Sequence, residues 1–192
     1  MGANNNFFGR DDLKTLGFAS LGEDVLISRK ASLYGTSNIC IGSHVRIDDF
    51  CILTGKITLG NYIHIAPYTS LCGGSKGIIL GDYVNLSRKI EIFAVSDDFG
   101  GASLTNPMIP DEYKKTYEAE VVLERHVLVG ASSVILPGVI LREGCVVGAL
   151  SLVKDSLPAW SINAGIPAKK IKERKRDLIE LEKRFLEINS NE

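Results

Sequence analysis

Aromatic residues are scarce in this 192-residue chain: they make up 7% of it, with one tryptophan, while hydrophobic residues reach 45%. An apolar fraction drawn from aliphatics points to a narrow, regular interior. Charge of one sign is not in excess either. A net charge of −1 excludes a general nucleic-acid binder, whose footprint is strongly basic. Nothing approaches the run of about 18 apolar residues that a membrane span requires. The opening MGANNNFFGRDD has no apolar core segment, so no signal peptide is expected and the chain reads as soluble and cytoplasmic. The four cysteines, Cys40, Cys51, Cys72 and Cys145, lack CxxC or metal-type spacing and read as free thiols. Only three histidines occur, His44, His64 and His126. Their mismatched positions argue against a three-histidine zinc site, so no metal is expected.

What is present is a period of six. Aliphatics recur at Leu21, Ile27 and Leu33, at Ile41, Ile47 and Leu53, at Leu59, Ile65 and Leu71, and at Leu80, Leu86 and Ile92. After an interruption the series resumes at Leu123, Val129, Ile135, Leu141, Val147 and Val153. Four residues on from the aliphatic stands a small or β-branched residue, as at Val45, Ile63, Thr69, Val84, Val127, Ser133, Val139 and Ser151. Six is neither a helical period nor a strand alternation. It fits a short strand with one inward aliphatic followed by a tight corner, three units closing a triangular coil. Stacked coils bury those aliphatics as ladders. The fold expected is therefore an all-β solenoid.

The segments VGASSVILPGVILREGCVVGALSLV and INAGIPAKKIKERK closely resemble the hexapeptide-repeat acyltransferases, in particular the galactoside and maltose O-acetyltransferase branch. The resemblance covers roughly residues 20–172. It implies a left-handed parallel β-helix, acetyl-CoA as cosubstrate, a homotrimer with active sites between subunits, and no membrane or nucleic-acid partner. Three parts are expected: an N-terminal helical segment over 1–19, the β-helix over 20–170, and a C-terminal helix over 171–192. In GRDDLKTLGF, Asp11 or Asp12 can cap the first helix and Gly17 can end it. Residues 97–119 break the repeat with two prolines, charges and aromatics. In the resembling enzymes a loop at this point projects and helps form the active site. Ile171, Leu178, Leu181, Phe185 and Ile188 lie at helical spacing, a helix packing on the coil or on a neighbouring subunit.

Register turns the repeat into a site. Leu86, Val129 and Val147 fall on one face, which puts Ser87, Gly130 and Gly148 in one column and Arg88, Ala131 and Ala149 in the next. Small residues leave a shallow groove, although close packing alone also selects them. In the resembling family the pantetheine arm of CoA runs along such a surface. The cofactor-binding set expected from this is Gly130, Ala131, Gly148, Ala149, Lys154, Ala168 and Lys169, with Lys154 and Lys169 among the cations suited to the CoA phosphates.

The O-acetyltransferases carry a catalytic histidine in a T-G-H-P motif at the loop's start. Here the residues are Val95-Ser96-Asp97-Asp98-Phe99, so the histidine position holds Asp98. His44 and His126 fall at corners and are expected on the surface; His64 lies on a flank with no evident partner. A sugar hydroxyl needs a base, whereas an amine with a pKa of about 8 is already partly neutral. Placement beside carboxylates then suffices. Ser87, Glu91, Asp97 and Asp98 supply such groups around one corner, with Glu91 and Asp98 expected to orient an amine and Ser87 to bind or relay a proton. The stretches RIDDF, AVSDDF, LTNP and ELEKRFLE further resemble the N-acetyltransferases of nucleotide-linked 4-amino-4,6-dideoxy sugars used in O-antigen assembly. That implies N-acetylation of such a sugar, with sugar O-acetylation or a non-enzymatic solenoid as alternatives.

Overall fold

The computed structural model describes residues 6–189. Between residues 20 and 153 the chain winds in six three-strand turns, each contributing one short strand to each of three parallel sheets. The turns are left-handed. The central sheet gains a seventh rung, Ser161–Gly165, which folds back as an antiparallel hairpin with Ala168–Glu173.

The six-residue unit explains each strand. Its aliphatic points inward: Ile27, Ile47, Ile65, Leu86 and Val129 form one ladder in register and are fully buried. The residue four positions later turns the corner and is also interior, as at Val45, Ile63, Thr69, Ser133 and Ser151. Leu21 and Leu33, in the terminal coil, are only partly covered because no turn stacks above them. Between these inward positions the corners carry residues in the left-handed region, among them His44, Tyr62, Tyr83 and His126. Such φ values strain a residue with a side chain. Here they aim four rings outward in one stack, with centroids 4.5, 4.9 and 5.0 Å apart. That spacing matches the separation of neighbouring strands, so one turn of coil is one step of ring stacking.

The slips in the repeat all fall at the corner between the third and first sheets. Thr36–Asn38, the GGSKG stretch and the long loop are inserts there, and the interior register continues across each. The loop leaves and returns through an antiparallel pair, Val95–Ser96 against Tyr117–Glu118.

Two details depart from expectation. Helix α1, Arg10–Thr15, is capped by Gly9 without a side-chain bond. Asp11 and Asp12 instead sit in its first turn, where they pair with Lys14 and Arg29. The last helix, α2, is Leu178–Asn189, and residues 171–173 belong to the terminal hairpin. Pairing with the exposed edge of the seventh rung satisfies their backbone and prevails over their helical spacing.

Candidate active site

On the central sheet, backbone bonds from Asp48, Ala66, Ser87, Gly130 and Gly148 each reach the next coil in the same position. Ser87, Gly130 and Gly148 therefore do form one column, and Ala164 ends it. The glycines have a packing reason as well as any ligand reason. A Cβ on Gly130 would lie 2.4 Å from the Ala149 nitrogen, and one on Gly148 would lie 2.9 Å from the Ala164 Cβ. Ala131 and Ala149 stand beside this column on the outer surface. Lys169 pairs with Ala164 across the hairpin, which sets an exposed lysine at the column's end, next to the half-buried Ala168. Lys154 is exposed and pairs with Asp155.

Counting the column back toward the N-terminus reaches a pair that the reading of single motifs missed. Asp48 occupies the position of Ser87 two coils earlier, and its Oδ2 lies 2.8 Å from His64 Nε2. Arg46 Nε donates to its Oδ1 at 2.7 Å. Burial alone raises the Asp48 carboxyl, but the bonds from His64 and Arg46 outweigh it and hold the group below its ordinary pKa. His64 therefore has a partner. Together with Ser87, Asn85 and Arg88 the pair lines a cavity of about 360 Å³. His126, expected on the surface, is buried under α2, where Glu182 bridges it and Arg125. Burial lowers its pKa, and its Nε2 lies 2.8 Å from Glu182 Oε2.

The carboxylates occupy the third sheet and the loop. Glu91 points outward beside Ser70 and Val134. Half-burial raises its pKa, partly opposed by a hydrogen bond from Ser70. Asp98 is committed to the loop. Its oxygens accept from the backbone nitrogens of Gly100 and Ala102, both at 2.8 Å, and from the Ser103 hydroxyl, which keeps its pKa low. Asp97 is the freer neighbour and lines the two cavities flanking the loop's base. Ser87 lines one cavity and Asp97 two others.

A left-handed β-helix with one projecting loop, and a column of small residues ending beside a lysine, defines a hexapeptide-repeat acyltransferase. No protein-family model matches the chain. It is 46% identical over 176 residues, 90% of its length and 91% of the relative's, to the dTDP-4-amino-4,6-dideoxy-D-glucose acyltransferase of Escherichia coli. The chain belongs to this acyltransferase family. It also superposes with a TM-score of 0.94 and 49% identity on AntD, an N-acyltransferase from Bacillus cereus solved with dTDP and 3-hydroxybutyryl-CoA, covering 96% of this chain and 98% of that one. A more distant relative, 28% identical over 81% of this chain and 88% of its own, is the putative lipopolysaccharide biosynthesis O-acetyl transferase WbbJ of Escherichia coli K12.

Proposed function

We propose that the protein transfers an acetyl group from acetyl-CoA to the 4-amino group of a dTDP-linked 4-amino-4,6-dideoxy sugar. The observation that carries this is the identity of 46% to a curated acyltransferase of that substrate, sustained over nine-tenths of both chains. The AntD complexes with dTDP-4-amino-4,6-dideoxyglucose and coenzyme A add the same pair of ligand classes on the same fold. The chemistry of the site agrees. Asp97 and Glu91 attract the ammonium form of the sugar and take up its proton. The neutral amine attacks the thioester carbonyl, a C–N bond forms, the C–S bond breaks, and the departing thiolate is protonated. Ser87 lies on the column along which the thioester arrives and can pass that proton.

Between the two aspartates the reading favours Asp97, because both Asp98 oxygens already accept loop hydrogen bonds. AntD has been solved with one serine and one aspartate replaced, spaced along its chain as Ser87 and Asp97 are here. Gly130, Ala131, Gly148 and Ala149 would flank the pantetheine arm, with Ala168, Lys169 and Lys154 toward its phosphate end. The working form in this reading is a cytoplasmic homotrimer supplying a surface-polysaccharide precursor such as that of O-antigen. Phe99 and Met108 on the loop and Leu150 at a corner are exposed apolar groups suited to a neighbouring subunit.

The test is thiol release from acetyl-CoA with dTDP-4-amino-4,6-dideoxyglucose, with GDP-linked 4-amino sugars and with free galactosides. The expected product is an acetamide, stable to mild hydroxylamine, formed from the dTDP sugar. The Asp48–His64 pair beside Ser87 supports a second reading, O-acetylation with His64 as base. An ester cleaved by hydroxylamine would establish that reading and displace the first.

A further inference from the structure

The cavity between the third sheet and the base of the loop has an apolar floor that the transfer chemistry does not use. Outward positions on the third sheet form two rows: Ser70, Glu91 and Val134 in one, Cys72, Phe93 and Leu136 in the next. The rows are about 6–7 Å apart, two residues of strand rise. The second row floors a cavity of about 380 Å³, with Pro137 on one side and Ser96 and Asp97 at the rim. Burial, with Glu91 and Glu118 nearby, raises the Cys72 thiol, so the floor is uncharged.

Chain direction separates this cavity from the small-residue column. Ser87 and its column precede Glu91, and Phe93 follows it, so column and cavity flank the carboxylate on opposite sides within the chain. In a 4-amino-4,6-dideoxy hexose the amine and the methyl group sit on adjacent ring carbons. An amine held at Glu91 and Asp97 can therefore bring the methyl group to the same wall when C5 rather than C3 faces it. We propose that this cavity receives the sugar's methyl group, and that Cys72, Phe93 and Leu136 select 6-deoxy over 6-hydroxy sugars. This rests on the acyl-transfer reading above. A 6-hydroxyl there would lose its water and meet sulfur, aromatic and aliphatic surface. Apolar pockets reject a hydroxyl-bearing analogue by no more than about 100-fold, so a 10- to 100-fold preference in kcat/KM is expected.

The experiment compares the dTDP conjugates of 4-amino-4,6-dideoxyglucose and 4-amino-4-deoxyglucose, each with acetyl-CoA and with 3-hydroxybutyryl-CoA. Wild-type enzyme should favour the deoxy sugar. Cys72→Ser, which adds a hydroxyl partner at nearly constant volume, should narrow the preference at least about fivefold by improving the 6-hydroxy substrate. Leu136→Thr should do the same and stands in if the first variant folds poorly. Equal wild-type rates, or a sugar preference unmoved in both variants, would overturn the assignment. A change in acyl preference alone would also overturn it, giving the cavity to the acyl chain. Absence of transfer to either sugar from either donor would instead bring down the acyl-transfer reading itself, and this assignment with it.

Discussion

Adjacent aspartates at the loop's base meet different fates because only one has backbone donors within reach. Asp98 holds the turn through Gly100 and Ala102, while Asp97 is left facing the cavities. Asp97→Asn should therefore lower kcat/KM by roughly 10- to 1000-fold with the thermal midpoint unchanged, the range expected for one group that places and deprotonates a nucleophile. Asp98→Asn should lower the midpoint and raise proteolysis of the loop, with a smaller effect on turnover by saturating substrate. Wild-type rates for Asp97→Asn would remove it from the site. Glu91 adds a pH signature. Half-burial raises its pKa, so it is protonated, and stops attracting an ammonium group, at a higher pH than an exposed glutamate would. The acid limb of the pH profile of kcat/KM should thus lie above the ordinary glutamate range and disappear in Glu91→Gln.

At the level of coils and helices, two roles for the small residues are separable. Gly130→Ala pushes a methyl group into the backbone of the next coil and should cost about 1–3 kcal/mol of stability in urea unfolding. Ala149→Leu adds bulk on the outer surface and should leave stability intact while raising KM for acetyl-CoA at least about tenfold, by filling the groove. Unchanged KM would leave packing as the whole reason for that column. Helix α2 offers a second case. Glu182→Ala deprives the buried His126 of its partner and should lower stability by about 1–3 kcal/mol in the same assay.

These elements also mark where sequence was informative. A period of six with inward aliphatics is a local rule, so the ladders from Ile27 to Val153 and the corner inserts could be read from spacing. The column of Ser87, Gly130 and Gly148 followed from the same counting. Carrying the count back two coils would have reached Asp48 and given His64 its partner. Other features had no local signal. Whether His126 is exposed depends on a helix 56 residues further on. Which of Asp97 and Asp98 is free depends on how the loop folds over Gly100 and Ala102. The hairpin that takes residues 171–173 from the last helix depends on an unpaired rung elsewhere in the coil.

For the whole molecule, the proposed site draws Ser87 from one subunit and Asp97 from the next. Ser87 opens onto one cavity and Asp97 onto others. A closed cyclic assembly joins unlike patches of adjacent copies, so a column on one subunit can face the loop of the next. The Ser87→Ala and Asp97→Asn proteins should each keep about a tenth of wild-type activity or less alone. Unfolded together and refolded as mixed trimers from equal amounts, they should recover about a quarter of wild-type activity, because that share of interfaces pairs an intact Ser87 with an intact Asp97. Refolding each variant separately and then mixing should recover nothing beyond that residual activity, since intact trimers do not exchange faces on that route. Sedimentation should show three chains per particle. No recovery above the residual level in the refolded mixture, with wild-type protein regaining activity by the same procedure, would place both groups in one subunit's site and leave the trimer without a catalytic role.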